Sequence, residues 1–175
     1  MSDFKKYFPK LVQFEGSSFE CVPGDNGKET KYGVILSEWK AKGYDKDGDG
    51  DIDVDDLKLI TAEDAMSIAK AHYWDRLRGD SITNQSITEM IVDFAYNCGV
   101  GTAAIKTQQC LGITADGVFG PKSVEAINKA NQSELFDKIK ASRTKYYNDI
   151  VAHHPAQGKF LKGWLNRVNS FKFIA

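Results

Sequence analysis

One stretch near the middle of the chain has the strongest helical period. Its apolar residues recur at intervals of three and four, as on one face of an α-helix. They are Ile87, Met90, Ile91, Phe94, Ala95 and Cys98. Gly99 follows directly, and glycine commonly ends a helix in a left-handed conformation. The stretch predicts a buried helix in a mainly helical protein.

Weaker signals predict other helices around this one. We expect them over 3–15, from Thr61 to about Leu77, over 102–111, from Pro121, from a capping Ser133, and over 156–171. Pro9 either starts or kinks the first of these. Thr61 is a capping residue with acidic residues in the turn that follows. Between the first two helices, the turn-forming residues 16–36 predict a hairpin.

Length and composition bound the fold and its surroundings. A chain of 175 residues with 42% hydrophobic residues fits one domain, or one domain with a closely packed extension. No apolar run approaches the ~20 residues that span a bilayer, so we expect no membrane insertion. Three cysteines without a CxxC pair predict reduced thiols and no zinc site. The first residues, MSDFKKYFPK, lack a secretory signal, so we expect synthesis in the cytoplasm.

Residues 11–33, LVQFEGSSFECVPGDNGKETKYG, carry the clearest chemical signal. An apolar stretch ends at Glu15, and a turn-rich segment with Asp25 and Thr30 follows. Burial at the end of an apolar helix raises the pKa of a carboxyl group, which lets such a group act as a general acid. A carboxylate on the wetter turn would stay ionised. Two acids in unlike environments at one cleft are suited to cleaving a glycosidic bond.

This segment resembles the active-site segment of the phage-type lysozymes, although Asp25 lies one position later than in their pattern. It is more closely similar to glycoside hydrolase family 108, the muramidases that include the secretion activators. That family's pattern appears here as Glu15-Gly16-Ser17, Asp25-Asn26-Gly27 and Thr30-Lys31-Tyr32-Gly33-Val34. Ser17 stands where the family has a second glycine.

The second half resembles the peptidoglycan domain that accompanies that family. The similar pieces are VDFAYNCGVGTAAIKTQQCLGI (92–113), DGVFGPKSVEAI (116–127) and GKFLKGWLNRV (158–168). The resemblance implies a lysozyme-like α+β fold, mainly α, with a small β-hairpin after the first helix. It divides the chain into a catalytic region at 1–90 and a helical peptidoglycan-domain-like region at 91–175, packed as one globule.

The resemblance also implies a reaction, hydrolysis of the β-1,4 bond between N-acetylmuramic acid and N-acetylglucosamine in peptidoglycan. Glu15 would protonate the leaving oxygen, while Asp25 and Thr30 would guide the attacking water. Each residue has an ordinary alternative role, as a surface acid, a turn residue and a strand residue. Carboxyl groups about 6.5–9.5 Å apart would predict inversion at the anomeric carbon, and about 5–5.5 Å would predict retention.

Three further side chains are candidates for contact with the sugar. The resemblance implies that Tyr32 lines the cleft and that Asn97 lies near it, while Trp74 could stack on a sugar ring. The alternatives are packing for Tyr32 and core hydrogen bonding for Asn97. Core packing is the favoured alternative for Trp74, as it is for Trp164.

Residues 45–56, DKDGDGDIDVDD, fit the loop of an EF-hand. The predicted calcium ligands are Asp45, Asp47, Asp49, Asp51, Asp53 and Asp56, where Asp51 would act through its backbone carbonyl and Asp53 through a water. Seven Asp and one Lys give the loop a net charge of −6, against −1 for the whole chain, so the rest carries +5. Asp56 is shorter than the usual Glu at the last position, which predicts weaker binding. We expect one structural calcium ion, and the alternative is a solvated acidic loop without metal.

Taken together, the sequence predicts a monomeric muramidase whose partner is the peptidoglycan strand, with no nucleic-acid partner and no cofactor required for the chemistry. It would act on the bacterial cell wall in the periplasm, by an export route that the sequence does not show. Three other functions stay open: a lytic transglycosylase, a non-enzymatic peptidoglycan-binding module, and a calcium-dependent interaction protein. A mildly basic body suits an anionic polymer such as the wall, and the favoured alternative is that a charge of +5 over the rest of the chain is unremarkable.

Overall fold

The structure is a computed structural model, and it describes residues 1–20 and 29–175. Over these residues the fold is mainly helical with a two-stranded antiparallel hairpin after the first helix, which confirms the predicted α+β class. The chain divides into two compact units, one of Phe4–His72 and one of Met1–Asp3 with Tyr73–Ala175. The predicted division at residue 90 falls within a helix of the second unit.

The first unit is built from short elements. They are α1 (Phe4–Glu15), β1 (Thr30–Lys31), β2 (Val34–Ile35), α2 (Leu36–Lys42), α3 (Val54–Leu59) and α4 (Ala62–Ala69). A π-helical turn, Lys70–Trp74, follows α4 and continues past the end of this unit at His72. Helix α1 buries Tyr7, Phe8 and Leu11, whose spacing places them on one face. Pro9 lies inside α1 rather than at its start.

The second unit is built from longer helices. They are α5 (Gln85–Cys98), α6 (Val100–Leu111), α7 (Pro121–Lys129), α8 (Gln132–His153) and α9 (Gly158–Ser170), with 3₁₀ turns at Gly79–Ser81 and Pro155–Gln157. Helix α5 packs against α6 and α8, and α8 packs against α9. The predicted apolar face of α5 is buried from Ile87 to Ala95, and so are the polar residues between them.

Helix ends follow the sequence in part. The Thr61 hydroxyl caps α4 by accepting from the Asp64 backbone N–H, as predicted. The predicted Ser133 cap is wrong, because Asn131 Oδ1 accepts from the Glu134 backbone N–H at 3.2 Å and starts α8 earlier. Gly99 has φ 84° but ψ 149°, so it turns the chain directly into α6 instead of forming a left-handed cap.

In the described part of the chain, none of the helices combines the length and the apolar character that crossing a membrane requires.

Candidate functional site

Glu15 lies at the last position of α1, where the chain turns away from the helix. The turn is made by Gly16, whose φ of +80° favours glycine and whose N–H donates to the Val12 carbonyl at 2.8 Å. Helix α1 is held by its buried aromatic face, and the Glu15 side chain is half-buried at its end. The helix therefore ends in a half-buried carboxyl group at the turn.

A hairpin presents Thr30 and Tyr32. β1 pairs antiparallel with β2, with Thr30 opposite Ile35, and Thr30 also exchanges two backbone hydrogen bonds with Glu20 at 2.8 and 3.0 Å. The two turn residues, Tyr32 and Gly33, have φ of 52° and 74°. Two positive φ values match the twist of a tight hairpin, but a tyrosine there is strained, and strain of this kind is common at functional sites.

Asp25, the predicted second acid, lies outside the described residues. Its role as general base or electrostatic stabiliser stays a prediction, as do the predicted roles of Glu15, Thr30 and Tyr32.

The acidic loop gathers its carboxylates into two groups. Ligand atoms of Asp45, Asp47 and Asp49 lie within 4.8 Å of one another, and so do those of Asp51, Asp53 and Asp56. Gly48 and Gly50, with φ of 82° and 103°, let the backbone fold back, so that their N–H groups donate to Asp45. These oxygen donors suit a hard cation such as calcium.

Asp56 differs from the other loop residues because it is buried. Its carboxylate accepts from the backbone N–H groups of Asp53 and Lys46, and these bonds lower its pKa. The last carboxylate of the loop thus ties the two ends of the loop together. In this arrangement Asp56 groups with Asp51 and Asp53 and not with the first three acids. The donor chemistry fits calcium, whereas the division into two groups differs from a single EF-hand shell.

Lys46 anchors the loop to α4. Its Nζ donates to Asp64 Oδ2 at 2.7 Å and to the Tyr44 hydroxyl at 2.9 Å. Burial alone would raise the pKa of Asp64, but the bonds from Lys46 and Thr61 outweigh it and lower that pKa to about 2.

The second unit has an ionic centre that was not predicted from the sequence. Asp93 on α5 and Arg143 on α8 are both fully buried, with Arg143 Nη2 donating to Asp93 Oδ2 at 2.6 Å. Arg167 on α9 donates from Nη2 to Asp93 Oδ1 at 2.7 Å. Burial by itself raises the pKa of Asp93, but the two guanidinium groups hold that pKa below its usual value. One charged carboxylate therefore joins three helices.

The sequence did hold a signal for this centre. Arg143 continues the period of Leu135 and Ile139 at the next fourth residue, so it lies on the buried face of α8. A charged residue on an apolar face needs a buried partner. The pattern could not show which acid supplies it, because the partner lies 50 residues away in the chain.

Asn97, a predicted sugar contact, lies beside this centre. The side chain is exposed, yet its Oδ1 accepts from Arg143 Nη2 at 2.8 Å and from the Tyr147 hydroxyl at 3.1 Å. Tyr147 is buried and stacks on Trp164, with ring centroids 5.2 Å apart. Burial raises the pKa of Tyr147, so its hydroxyl keeps its proton.

The indole of Trp74 is fully buried. Its Nε1 donates to Asp80 Oδ1 at 2.7 Å, and a Cβ added at Gly79 would overlap its ring. These contacts leave no ring face for a sugar, so they favour core packing, the alternative that the sequence analysis preferred. Trp164 is half-buried, and Phe160, with its ring centroid 5.9 Å away, is exposed.

A cleft of about 670 Å³ opens beside α7. Gln108 on α6 fixes the turn that lines the cleft. Its Nε2 donates to Asp116 Oδ1 at 2.8 Å, and its Oε1 accepts from the Gly117 N–H at 3.0 Å. Val118 lines the cleft and is 68% exposed. Lys122 adds a positive charge at its edge.

Comparison with known families decides what kind of protein this is. Residues 8–99, more than half of the chain, match the family model described as Glycosyl hydrolase 108. The chain belongs to this family. Residues 102–169 match a second model, described as Predicted Peptidoglycan domain. The first match contains Glu15, the hairpin and Asn97, whereas the second contains Arg143, Arg167 and the cleft.

A solved structure, that of Brucella abortus SagA, has the same fold. It aligns with a TM-score of 0.71 and 22% identity, and the alignment covers 96% of this chain and 94% of that chain. A search of curated proteins found no match. The family resemblance read from the sequence is thus confirmed, the chain is a glycoside hydrolase by family, and its second domain indicates peptidoglycan as the polymer that it binds.

Proposed function

We propose that the chain is an N-acetylmuramidase that hydrolyses the β-1,4 bond between N-acetylmuramic acid and N-acetylglucosamine in peptidoglycan. The observation that carries the proposal is the half-buried Glu15 at the end of an apolar helix, where a glycine turns the chain toward the Thr30 hairpin. The match to a glycosyl hydrolase family over the same residues supports it.

The proposed chemistry needs one acid and one positioned water. The Glu15 carboxyl donates its proton to the bridging oxygen, which leaves as a hydroxyl group. A water then adds to the anomeric carbon and loses its proton, guided by Thr30 and by Asp25. Tyr32 lines the sugar cleft in this proposal, as the family resemblance implies, and its positive φ is a strained conformation of the kind common at functional sites.

The decisive experiment is digestion of purified peptidoglycan with the wild type and with Glu15→Gln, followed by mass spectrometry of the fragments. We expect wild type to release reducing ends and Glu15→Gln to release at least about 100-fold fewer. Glu20→Gln is the matched control, because Glu20 is exposed and its structural bonds are made by its backbone. Fragments with a 1,6-anhydro ring would identify a transglycosylase instead, and full activity of Glu15→Gln would refute the proposal.

The same digestion separates the remaining rivals. A non-enzymatic wall-binding module would release no fragments with any variant yet would still sediment with the wall. A calcium-dependent interaction protein would lose its partner on chelation, whatever stands at residue 15. Action on the periplasmic cell wall and a monomeric state belong to the proposal as expected from the sequence.

The cleft beside α7 is the proposed wall-contact surface of the second domain. It lies within the residues that match the peptidoglycan domain, and it combines the exposed Val118 with the charged Asp116 and Lys122. Peptidoglycan offers both apolar sugar faces and charged peptide groups, so a cleft of mixed character suits it.

Calcium is the proposed ion of the acidic loop, with a structural role. Carboxylates that lie within 4.8 Å of one another repel, and a divalent ion would relieve that repulsion. Mutual repulsion already raises the pKa of Asp51, chiefly through Asp49. We expect calcium to raise the melting temperature of the wild type and not of Asp45→Asn/Asp49→Asn, and titration calorimetry checks binding directly. Equal melting curves in calcium and in EDTA would support the solvated loop instead.

A further inference from the structure

We infer that the buried Asp93–Arg143 pair and Tyr147 form a positioning unit, which turns the amide of Asn97 so that its N–H₂ group faces outward as a hydrogen-bond donor to an oxygen of the glycan. This inference deepens the proposed function, on which it rests. It makes Arg143 and Tyr147 positioning residues, since they act through Asn97.

The orientation of the Asn97 amide follows from the chemistry of its two partners. Arg143 Nη2 is only a donor, so the Asn97 atom that it meets at 2.8 Å must be an acceptor. The Tyr147 hydroxyl accepts from Arg143 Nε at 3.1 Å, and its own proton is therefore available to the same Asn97 oxygen. Flipping the amide would place an N–H₂ group against Arg143 Nη2, which has no lone pair to accept it, and would lose the bond at 2.8 Å.

The arginine is itself held in place. Asp93 accepts from Arg143 Nη2 on one oxygen and from Arg167 Nη2 on the other, so the guanidinium group has a fixed salt-bridge partner. The rings of Phe94, Tyr147 and Phe171 surround it, with centroids 5.5, 5.6 and 5.8 Å from its central carbon. Because the side chain is fully buried, it has no room to adopt another rotamer without breaking these contacts.

The outward-facing N–H₂ group of Asn97 is available to donate a hydrogen bond. None of the described residues accepts a hydrogen bond from Asn97 Nδ2, and the Asn97 side chain is exposed. Tyr147 also stacks on the half-buried Trp164, which lies next to the exposed Phe160. An oriented donor close to aromatic rings is a common way to bind a sugar, because the rings pack against its C–H face while the donor meets a hydroxyl or acetamido oxygen.

Asn97→Asp tests the donor without removing the network. The carboxylate keeps an acceptor for Arg143 and Tyr147 and replaces the outward N–H₂ by an oxygen. In a Glu15→Gln background we expect its affinity for soluble, uncrosslinked glycan strands to fall at least about 10-fold, with a melting temperature equal to or above that of the parent. Asn166→Asp makes the same charge change on an exposed residue of α9 and should leave the affinity within about twofold. Unchanged affinity of Asn97→Asp would overturn the inference.

Tyr147→Phe tests the positioning. It removes one of the two bonds that orient Asn97 and keeps the ring that stacks on Trp164. We expect a loss of affinity smaller than that of Asn97→Asp, and no further loss when the two changes are combined, since both act through one donor. Additive losses would show that Tyr147 does not act through Asn97.

Hydrolysis by the Asn97→Asp variant with Glu15 intact supplies the second readout. An oriented binding group predicts a raised KM with kcat within about twofold, whereas a structural defect lowers the active fraction and hence kcat. The binding assays do not depend on turnover. If wild type proved inactive, the proposed hydrolase would fail while the glycan affinities would still decide the inference.

Discussion

The two units of the protein hold their polar residues in different ways. In Phe4–His72 the candidate catalytic residues Glu15 and Thr30 lie at the end of one helix and on a strand of two residues, and most of the clustered carboxylates lie at the surface of a loop, with Asp56 buried. In Tyr73–Ala175 a carboxylate and two guanidinium groups lie among long helices, with Asp93 and Arg143 fully buried. The first region carries its candidate catalytic groups at the end of a helix and on a short hairpin. The second region uses buried ion pairs to hold its helices and polar side chains in fixed positions.

This difference predicts that loss of a carboxyl group lowers activity but not stability in the first region, and lowers stability in the second. Glu15→Gln should reduce glycan hydrolysis by about 10²- to 10⁴-fold, the usual contribution of a general acid. Its melting temperature should stay close to that of wild type, because the side chain is only half-buried at a helix end. Assays of released reducing ends and thermal unfolding measure the two effects. A large loss of stability would remove the contrast between the regions.

Asp93→Ala is the counterpart in the second region. It leaves Arg143 charged and buried without its salt-bridge partner, so the free energy of unfolding should fall by about 3–5 kcal/mol in urea titrations. The control is Asp137→Ala on α8, an exposed residue whose loss should cost less than about 0.5 kcal/mol. Equal costs for the two variants would mean that the ionic centre does not support the fold.

Each region also packs a tryptophan over a glycine, which allows a like-for-like test. A Cβ at Gly43 would overlap the Trp39 ring, and a Cβ at Gly79 would overlap the Trp74 ring. Both indoles are buried, so Gly43→Ala and Gly79→Ala should each cost about 1–3 kcal/mol of unfolding free energy. Circular dichroism melts measure the cost, with Gly163→Ala in α9 as the control, since its Cβ would meet open space. An unchanged Gly79→Ala would argue that Trp74 is mobile enough to turn toward a ligand.

Acid should lower the stability of the first region as Asp64 becomes protonated. In the folded protein the pKa of Asp64 is about 2, below the usual 3.8 of an aspartate, so its contribution to stability is present above about pH 4 and is lost as the pH falls toward 2. The bond to Lys46 is near the surface, so we expect only about 1 kcal/mol. Urea unfolding at pH 6 and at pH 2 measures it. Asp64→Asn should lack this part of the pH dependence, and a variant with the wild-type profile would contradict the assignment.

The smallest expected effect concerns the cleft beside α7. Val118 is 68% exposed, so Val118→Ser should not change the melting temperature, yet it should lower retention on purified peptidoglycan by about two- to fivefold through lost apolar contact. Sedimentation with the wall measures retention. Val100→Ser, on half-buried α6 surface outside the cleft, controls for loss of a valine. Equal retention of wild type and Val118→Ser would move the wall contact elsewhere.

Local signals in the sequence predicted local structure well. The period of α5, the Thr61 cap and a hairpin after the first helix were all predicted from the sequence, because each depends on residues that are close together in the chain. The prediction of Ser133 as a cap was wrong, because two residues in the same short window can cap the helix. Asn131 and Ser133 are both good capping residues, so the sequence alone does not choose between them, and in the structure the cap is Asn131.

By itself, the sequence determined the helical class, the acid at the end of the first helix and the acidic loop, since composition and spacing within short windows specify these features. The tertiary structure alone decided that Asp93 meets Arg143 and Arg167, and that Asn97 is held between Arg143 and Tyr147. These partners are 46 to 74 residues apart in the chain. A hydrogen bond between side chains is directional and short in range, so no pattern along the chain specifies it until the helices have packed.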